Sequence, residues 1–347
     1  MNASHDRGVR RPRRWPRVAG AALGLLVAAL ACAYVYMVRC EGEWRGEPLE
    51  VRMAEQLPAI QRQIETDVAF QQGLGPRNSL SDATYAQLRR AEAWAVQRWE
   101  SQGYVVYRQA FRAAGRDYDN LEVEIGGRTA PGEIVLLSAQ YDTLPDSPGA
   151  NNNASGMAVL FAVSGLLAGG AGDRTVRLVA FVNEEDPFFG TPDMGSYVYA
   201  GRARERGERI VHMLSLDSIG YYRQEPGTQH LPAPFGLLYP SEGNYLGFIA
   251  NLSSRASVKQ ATAGFRKGTS FPVRAGAVPR WVPGAEWSDH RSFWDFGYPG
   301  IQVTDTGGFR SPYHTTPQDT MEKLDFVALS RIAVGMYACV VELATRR

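Results

Sequence analysis

Cysteine is scarce in this chain of 347 residues, and net charge is nearly absent. The three cysteines, Cys32, Cys40 and Cys339, contain no Cys-x-x-Cys pair and make no disulfide framework, so we interpret them as buried or membrane-embedded thiols without chemistry. The net charge of +1 gives no overall basic field, which argues against nucleic acid as a partner. The sequence also lacks an internal repeat of solenoid length. Its length instead fits one large α/β domain with accessory segments.

An uncharged apolar run follows a cluster of arginines at the N-terminus. The arginines lie between Arg7 and Arg17, and the run extends from Val18 to Val38. About 20 apolar residues are enough to span a bilayer as a helix, and clustered arginines favour the cytoplasmic side. We therefore predict a basic cytoplasmic tail (1–17), a single transmembrane signal anchor (18–38) and a main domain outside the cytoplasm. A cleaved signal peptide, which would release a secreted protein, is the alternative.

The remaining sequence divides into a lead-in segment and a folded domain. Residues 39–77 are charged and weakly periodic, and we interpret them as a stalk or lead-in helix. The domain proper, 78–347, opens with a helix that Ser81 or Asp82 can cap. Its apolar side chains fall on one face of that helix: Tyr85, Leu88, Ala91, Ala95 and Trp99.

Strand and helix patterns then alternate along the chain. The predicted strands are Tyr104–Ala110, Asn120–Ile125, Glu133–Ala139, Thr175–Val182, Ile210–Leu216 and Ile301–Thr304. The predicted helices are Ser155–Leu167, Asn244–Ser254 and Phe326–Leu343. Such alternation indicates an α/β fold with a mostly parallel, twisted sheet that carries helices on both faces.

Polar residues follow the predicted strands at the point where each strand ends. They are Gln140-Tyr141-Asp142, Asn183-Glu184-Glu185 and Asp217, with Ser288-Asp289-His290 and Tyr313-His314 further on. Ligands of open α/β sheets bind beyond the carboxyl ends of the strands. Carboxylates buried there are costly unless something compensates their charge, and a metal ion does so where several meet a histidine.

Six segments, in order along the chain, carry a resemblance to a known family. They are QYD (140–142), SPGANNNASG (147–156), AFVNEED (180–186), LDSIG (216–220), WSDHRSFWDFGYP (287–299) and YHTTPQDT (313–320). Over about residues 78–345 the chain resembles the zinc aminopeptidases of metallopeptidase family 28, which also includes the glutaminyl cyclase fold. The resemblance implies a zinc-aminopeptidase-like fold and a peptide as substrate or ligand.

The resemblance also implies roles for individual residues. The family typically binds two zinc ions, and zinc lowers the pKa of bound water to about 7. Carried onto this sequence, Gln140 and Asp217 are at the ligand positions of one ion, and Glu185 and His314 are at those of the other. Asn152 is at the position that bridges the two ions. Glu184 takes the place of the general base. Asp142 and Asp289 take places beside the ligands.

Two of these positions depart from the family pattern. Gln140 replaces an imidazole and Asn152 replaces the bridging carboxylate. Amide oxygens are neutral, hard donors that suit calcium or magnesium better than zinc. The substitutions favour one zinc ion over two, with no metal as the alternative.

The sequence leaves three functions open. The leading one is a membrane-anchored metallo-aminopeptidase-like hydrolase, an exopeptidase that acts on peptide N-termini with metal-activated water and Glu184 as general base. The second is a catalytically inactive homologue that binds peptides or partner proteins. The third is a one-metal glutaminyl-cyclase-like acyltransferase. Pro187-Phe188-Phe189 together with Trp287, Phe293 and Trp294 are candidates to line an apolar pocket for the first side chain of the substrate, with ordinary core packing as the alternative.

Overall fold

An eight-stranded sheet forms the body of the protein within the described residues, 15–170 and 172–346 of the computed structural model. Residues 1–14 of the predicted cytoplasmic tail lie outside the described residues. The strands are β1 (Tyr107–Ala113), β2 (Arg116–Ile125), β3 (Ala130–Gln140), β4 (Arg174–Phe181), β5 (Arg209–Leu216), β6 (Leu246–Ala250), β7 (Val273–Ala277) and β8 (Ile301–Thr304). The helices are α1 (Trp15–Val38), α2 (Leu49–Arg52), α3 (Leu57–Gly73), α4 (Asp82–Ser101), α5 (Gly156–Leu167), α6 (Gly195–Glu205), α7 (Arg255–Gly268), α8 (His290–Asp295) and α9 (Phe326–Ala344).

The strands are ordered β1-β2-β4-β3-β5-β8-β6-β7 across the sheet. Strand β3 is parallel to β4 and β5, β5 is parallel to β8, and β6 is parallel to β7. Antiparallel pairs join β1 to β2, β2 to β4 and β6 to β8. The prediction of an α/β fold with a mostly parallel sheet is confirmed. The parallel strands β4, β3, β5 and β8 occupy its interior, and β6 and β7 form a further parallel pair at one edge.

Strand β3 shows why the sheet is covered on both faces. Successive side chains of a strand point to opposite faces. Val135 and Leu137 join the apolar cluster that contains α5 and α9, whereas Ile134 and Leu136 join the cluster that contains α6 and α8. A near-continuous apolar run is thus the expected sequence of a strand buried on both sides.

Two sequence predictions differ from the structure. Residues 244–254, predicted as a helix, contain strand β6 and a single 3-10 turn, Leu252–Ser254, and the next α-helix begins at Arg255. Strand β6 forms because it pairs with β7 and β8, partners that local sequence does not reveal. The first hairpin is also longer than predicted, since Ala113 pairs with Arg116 across a tight turn at Ala114 and Gly115, both at positive φ.

The lead-in segment, residues 39–77, packs onto the domain. Helix α3 contacts α5 and α9, and Asp67 on α3 accepts hydrogen bonds from Arg98 on α4 at 2.7 and 3.1 Å. Glu50 on α2 accepts hydrogen bonds from Arg331 on α9 at 3.0 and 3.2 Å. These contacts join the lead-in helices to the core of the protein.

Two apolar helices differ in their surroundings. Among the described residues, α9 is the helix long and apolar enough to cross a membrane, but 72% of its apolar window is buried inside the protein, as in a core helix. Helix α1 contains a shorter apolar stretch, Ala22–Val38. Its leucines Leu23, Leu25, Leu26 and Leu30 are exposed. The apolar surface of α1 between Leu23 and Leu30 is therefore left uncovered by the rest of the described protein.

Candidate active site

Parallel strands bring the predicted site residues to one edge of the sheet. Strands β4, β3, β5 and β8 are neighbours that run in the same direction, so their carboxyl ends meet there. Gln140 is the last residue of β3, Glu184 and Glu185 follow β4, and Asp217 follows β5. Gln140, Glu184 and Asp217 are buried, with less than a tenth of each residue exposed, and Glu185 is partly exposed.

Sharp turns of the main chain follow three of these strands. Asn183, Ser218 and Thr306 come shortly after β4, β5 and β8, with φ angles of 59°, 52° and 81°. Positive φ is unfavourable for residues other than glycine and tends to occur at functional sites. Each turn redirects the chain at the rim of the cleft, so the backbone itself fixes the positions of the neighbouring carboxylates.

A buried loop closes the floor of the cleft. Asn151 and Asn152 donate their backbone N–H groups to the two carboxylate oxygens of Asp319, at 2.8 and 3.0 Å. The side chain of Asn151 donates to Asp305 Oδ2 at 2.9 Å. Gly149, at φ 65°, enters this loop, and a Cβ there would lie 2.5 Å from the carbonyl oxygen of Asn152. Two carboxylates therefore hold the loop and its amides in place.

The two substituted amides form a hydrogen-bond network with the glutamates. Gln140 donates through Nε2 to Asn152 Oδ1 and to Glu184 Oε2, both at 3.3 Å. Asn152 donates through Nδ2 to Glu185 Oε1 at 2.5 Å. Asn153 donates in turn to Gln140 Oε1. The amides thus direct N–H groups toward the carboxylates that the resemblance assigns to proton transfer and to metal binding.

Burial is the main electrostatic influence on the glutamate pair. It raises the pKa values of Glu184 and Glu185 well above the ordinary range, and neighbouring carboxylates raise them further. For Glu184 these neighbours include Glu185 and Asp217, and for Glu185 they include Asp142, Asp217 and Asp186. The cleft therefore concentrates negative charge that attracts either protons or a cation.

Asp142 and Asp217 flank the glutamates. Asp142 Oδ2 accepts the backbone N–H of Glu185 at 3.0 Å, while its Oδ1 is buried and has no hydrogen-bond partner among the described residues. Asp217 accepts from Gln302 Nε2 at 3.3 Å and from Ser218 Oγ at 3.3 Å. Burial raises the pKa of each aspartate to about 6.

Asp289 lies in the same group of carboxylates, fully buried before helix α8. Burial raises its pKa well above the ordinary range, and the charges of Asp142 and Asp217 add to the rise. The structure thus gathers seven of the eight predicted site residues around one cleft: Gln140, Asp142, Asn152, Glu184, Glu185, Asp217 and Asp289.

His314, the eighth predicted residue, lies apart from the carboxylate group, on the wall of an adjoining cavity. It shares a cavity with Asp217, and its ring packs so closely on Gly307 that a Cβ there would lie 3.0 Å from the imidazole. Its Nδ1 atom is buried and has no partner within the described part of the chain. Burial lowers the pKa of His314 to about 4, which keeps the ring neutral.

The cavity beside Asp217 and His314 is mostly apolar. It encloses about 120 Å³. Trp287, which the sequence predicted for this pocket, stacks on Phe309 with ring centroids 5.2 Å apart. The other lining residues include Leu231, Phe235, Phe248, Val278 and Val282. Phe188, Phe293 and Trp294, also predicted for the pocket, are core residues instead. The cavity can hold a small apolar group next to the carboxylates.

The donor set does not fit the zinc arrangement that the family resemblance implies. Gln140 and Asn152 use amide N–H groups to bind Glu184 and Glu185, and an N–H group cannot be a metal ligand. Among residues 15–170 and 172–346, no group of three or more His, Cys, Asp or Glu side chains is close enough to hold a metal ion. The cleft in this form stabilises its carboxylates by hydrogen bonds.

Sequence reasoning missed three residues of the cleft. Asp305 follows β8, so the strand-end rule that found Asp217 could have found it. Asp319 belongs to the last of the six motif segments, 313–320. Gln302 binds Asp217 from within β8, and its Oε1 has no partner among the described residues. A glutamine inside a short strand gives no sequence signal for that contact.

Comparison with known proteins places this arrangement in a family. The chain is 31% identical to the uncharacterized protein YfbL of Escherichia coli over 258 residues, 72% of this chain and 78% of that protein. The fold is similar to the LapA aminopeptidase of Legionella pneumophila (TM-score 0.63, 15% identity, 87% of this chain and 78% of that one). It is also similar to the glutaminyl cyclase of Fimbriiglobus ruber (TM-score 0.59, 17% identity, 87% of this chain and 98% of that one). The family model described as Peptidase family M28 matches residues 120–340, and the chain therefore belongs to peptidase family M28.

Proposed function

We propose that this protein binds the amino-terminal residue of a peptide in the cleft of an M28 fold and does not hydrolyse it by a two-zinc reaction. Family membership and the similarity to aminopeptidases and glutaminyl cyclases support the general class of a peptidase-like hydrolase or cyclase. The amide network at Gln140 and Asn152 distinguishes this chain from a two-zinc enzyme.

The observation that carries the proposal is the pairing of the cavity with the carboxylate cluster. Asp217 belongs to both, because it lines the cavity and interacts electrostatically with Glu184 and Glu185. A peptide's free amino terminus is a cation, and it would be attracted to buried carboxylates. The first side chain would then fill the apolar space beside Trp287.

The test combines metal analysis, binding and turnover on the full chain in detergent. The probes are a leucyl tripeptide with a C-terminal fluorophore, its N-acetylated form, and leucine p-nitroanilide as the hydrolysis substrate. We expect the free-amine peptide to bind, the acetylated peptide to bind at least about tenfold more weakly because it lacks the charge, and the anilide to remain intact with or without zinc. Stoichiometric zinc uptake together with anilide hydrolysis by the natural chain would overturn the proposal.

Two variants sharpen this test. Trp287→Ala removes one wall of the cavity and should weaken peptide binding, whereas Trp281→Ala, at an exposed tryptophan outside the cavity, should not. The double variant Gln140→His with Asn152→Asp restores the ligand types of the family. Hydrolysis that appears only in the double variant supports a silent natural protein, and equal hydrolysis in both refutes it.

A second candidate is turnover at a partly retained site, as a hydrolase or as a glutaminyl cyclase. The observation in its favour is that Glu184 and Glu185 remain side by side at the cleft, with His314 on the adjoining cavity. Product analysis with a glutaminyl peptide separates the two chemistries: hydrolysis releases free glutamine, and cyclisation releases ammonia and leaves a blocked N-terminus. Absence of both products leaves the binding function.

We further propose that α1 is a single-pass membrane anchor with the arginine-rich N-terminus in the cytoplasm and the domain outside it. The exposed leucines of α1 and the arginine cluster before it support this placement. In sealed inside-out vesicles, a C-terminal tag should resist protease until detergent is added. Digestion of the tag without detergent would contradict this orientation.

A further inference from the structure

Three loops of the domain meet the final turns of α1. The first is residues 231–239: Tyr34 on α1 donates its hydroxyl to the carbonyl oxygen of Pro234 at 2.6 Å, and its ring lies 5.8 Å from that of Phe235. The second is residues 278–285, where Val278 and Val282 share an apolar cluster with buried Val38. Helix α1 thus leaves the domain at a packed junction.

The third loop, residues 251–255, adds a cation to this junction. Arg255 donates to the carbonyl oxygens of Tyr36 and Arg39 at 3.0 and 2.7 Å. Its guanidinium lies over the ring of Tyr36, 4.0 Å from the centroid. Aromatic and cationic side chains at the end of an apolar helix are typical of a membrane–water interface.

Each of these loops exposes large apolar side chains around the end of α1. Leu237 and Leu238 are 82% and 52% exposed, Trp281 is 81% exposed and Leu252 is 45% exposed. We call these four residues the exit surface. A group of exposed apolar side chains marks a binding surface for protein or membrane, and α1 continues the exit surface with its own exposed leucines.

We propose that the exit surface lies in the headgroup region of the bilayer that α1 spans. The inference rests on the proposed membrane anchor and goes beyond it, because it assigns the domain itself a lipid contact. Helix α1 has 24 residues and is therefore about 36 Å long, slightly more than the hydrocarbon thickness. With its last turn packed on the domain, the bilayer surface must fall close to Tyr34 and Tyr36.

Charge at the junction favours lipid over a protein partner. Arg39 is exposed at the end of α1 and Arg255 lies beside it, so the ring around the exit surface can interact with anionic headgroups. Tryptophan is enriched at membrane interfaces, and Trp281 is among the most exposed large apolar side chains of the described residues. A bilayer surface matches exposed apolar side chains with two cations beside them.

The experiment uses the full chain in vesicles of equal parts phosphatidylcholine and phosphatidylglycerol. A maleimide fluorophore is attached to one exposed cysteine, since Cys40 and Cys339 are fully buried. Natural Cys32, exposed on α1, reports the anchor. In a Cys32→Ser background, Leu238→Cys reports the exit surface, and Val105→Cys is the matched control. Val105 is exposed and leads into β1, at the opposite edge of the sheet from β7, which contacts α1.

Quenching by lipids with a doxyl group near the headgroup measures contact. We expect the probe at position 238 to be quenched at least about threefold more than the probe at position 105, as for a side chain at headgroup depth. We expect the probe at Cys32 to be quenched by the same lipids, because Cys32 lies two residues before Tyr34, about 3 Å along the helix axis. Quenching at Cys32 with equal values at 238 and 105 would overturn the exit surface and leave the anchor intact. Absence of quenching at Cys32 would overturn both. Leu237→Cys repeats the measurement if Leu238→Cys does not fold.

Discussion

Changing Asn152 to aspartate tests whether the cleft is stabilised by amide hydrogen bonds. The natural side chain donates Nδ2 to Glu185 Oε1 at 2.5 Å and is buried. An aspartate would replace that donor with a second carboxylate against Glu185. Leaving a buried charge without its partner costs about 3–5 kcal/mol. At roughly 2 °C per kcal/mol for a domain of this size, the Tm of Asn152→Asp in EDTA should fall by roughly 6–10 °C.

Zinc should reverse this loss in the variant but not stabilise the natural chain. The new carboxylate stands at the position that bridges two ions in the resembled family, so it adds a charged ligand beside Glu185. A cation at about 100 times its Kd stabilises the folded state by about 2.7 kcal/mol, which should return most of the lost Tm. The assay is thermal unfolding of both proteins by intrinsic fluorescence, in EDTA and in zinc.

Asn151→Asp is the matched control, because Asn151 also donates its side-chain amide to a buried carboxylate, Asp305, at 2.9 Å. It should be destabilised to a similar extent and gain nothing from zinc, since neither Asp305 nor position 151 belongs to the predicted ligand set. The reasoning is refuted if Asn152→Asp is as stable as the natural chain in EDTA, or if zinc raises the Tm of the natural chain equally.

Three further predictions concern the fold around the site. His212 is buried in β5, and burial lowers its pKa to about 4, so folding favours the neutral imidazole. Relative to His212→Gln, the natural chain should therefore lose about 2 kcal/mol of unfolding free energy as the pH falls from 7 to 5, and more down to pH 4. Asp319→Asn keeps only one acceptor oxygen for the two backbone N–H groups of loop 150–155, which should cost about 1–2 kcal/mol in chemical unfolding and weaken peptide binding. Gly307→Ala, at φ 49° and with its methyl 3.0 Å from the ring of His314, should cost about 1–2 kcal/mol and displace the imidazole, which a histidine NMR shift would report.

Each of these substitutions has a matched control. His230→Gln changes an exposed histidine and should leave the acid side of the stability profile unaltered. Asp325→Asn alters a carboxylate that caps α9 by accepting one N–H group, which asparagine does equally well, so stability should be unchanged. Gly207→Ala introduces alanine at φ 67° in open space and should reproduce the backbone cost without moving His314. Equal stability changes in His212→Gln and His230→Gln, or in Asp319→Asn and Asp325→Asn, would refute the corresponding explanation. For the two glycine variants, an equal shift of the His314 signal would do so.

Local sequence was sufficient for the interior of the sheet and for the strand ends. The run Glu133–Ala139 is apolar at nearly every position, and it lies within β3, buried by helices on both sides. Gln140, Glu184 and Asp217 then follow from the rule that parallel strands end at one edge. These residues could be found because a continuous apolar run and a strand end are local properties of the sequence.

The parts that sequence did not reveal depend on contacts distant along the chain. Strand β6 needs β7 and β8 as partners, and its residues alone fit a helix equally well. The position of Asn152 in the site was predicted from the family resemblance, but the direction of its amide depends on Glu185, 33 positions away. Whether these side chains can bind a metal therefore depends on the orientation of their amide groups, which no sequence motif encodes.

If α1 is inserted in a membrane as proposed, the packed junction at Tyr34, Val38 and Arg255 limits where this protein can act. A tether without a flexible segment would then hold the cleft at one height and one tilt above the lipid, and its reach would not extend into bulk solution. The loop around Phe235 both contacts α1 and lines the cavity. A ligand that fills the cavity would therefore contact the same segment that packs against α1. With the anchor inserted, the peptides that meet this cleft are those that emerge from, or travel along, the surface in which α1 is embedded.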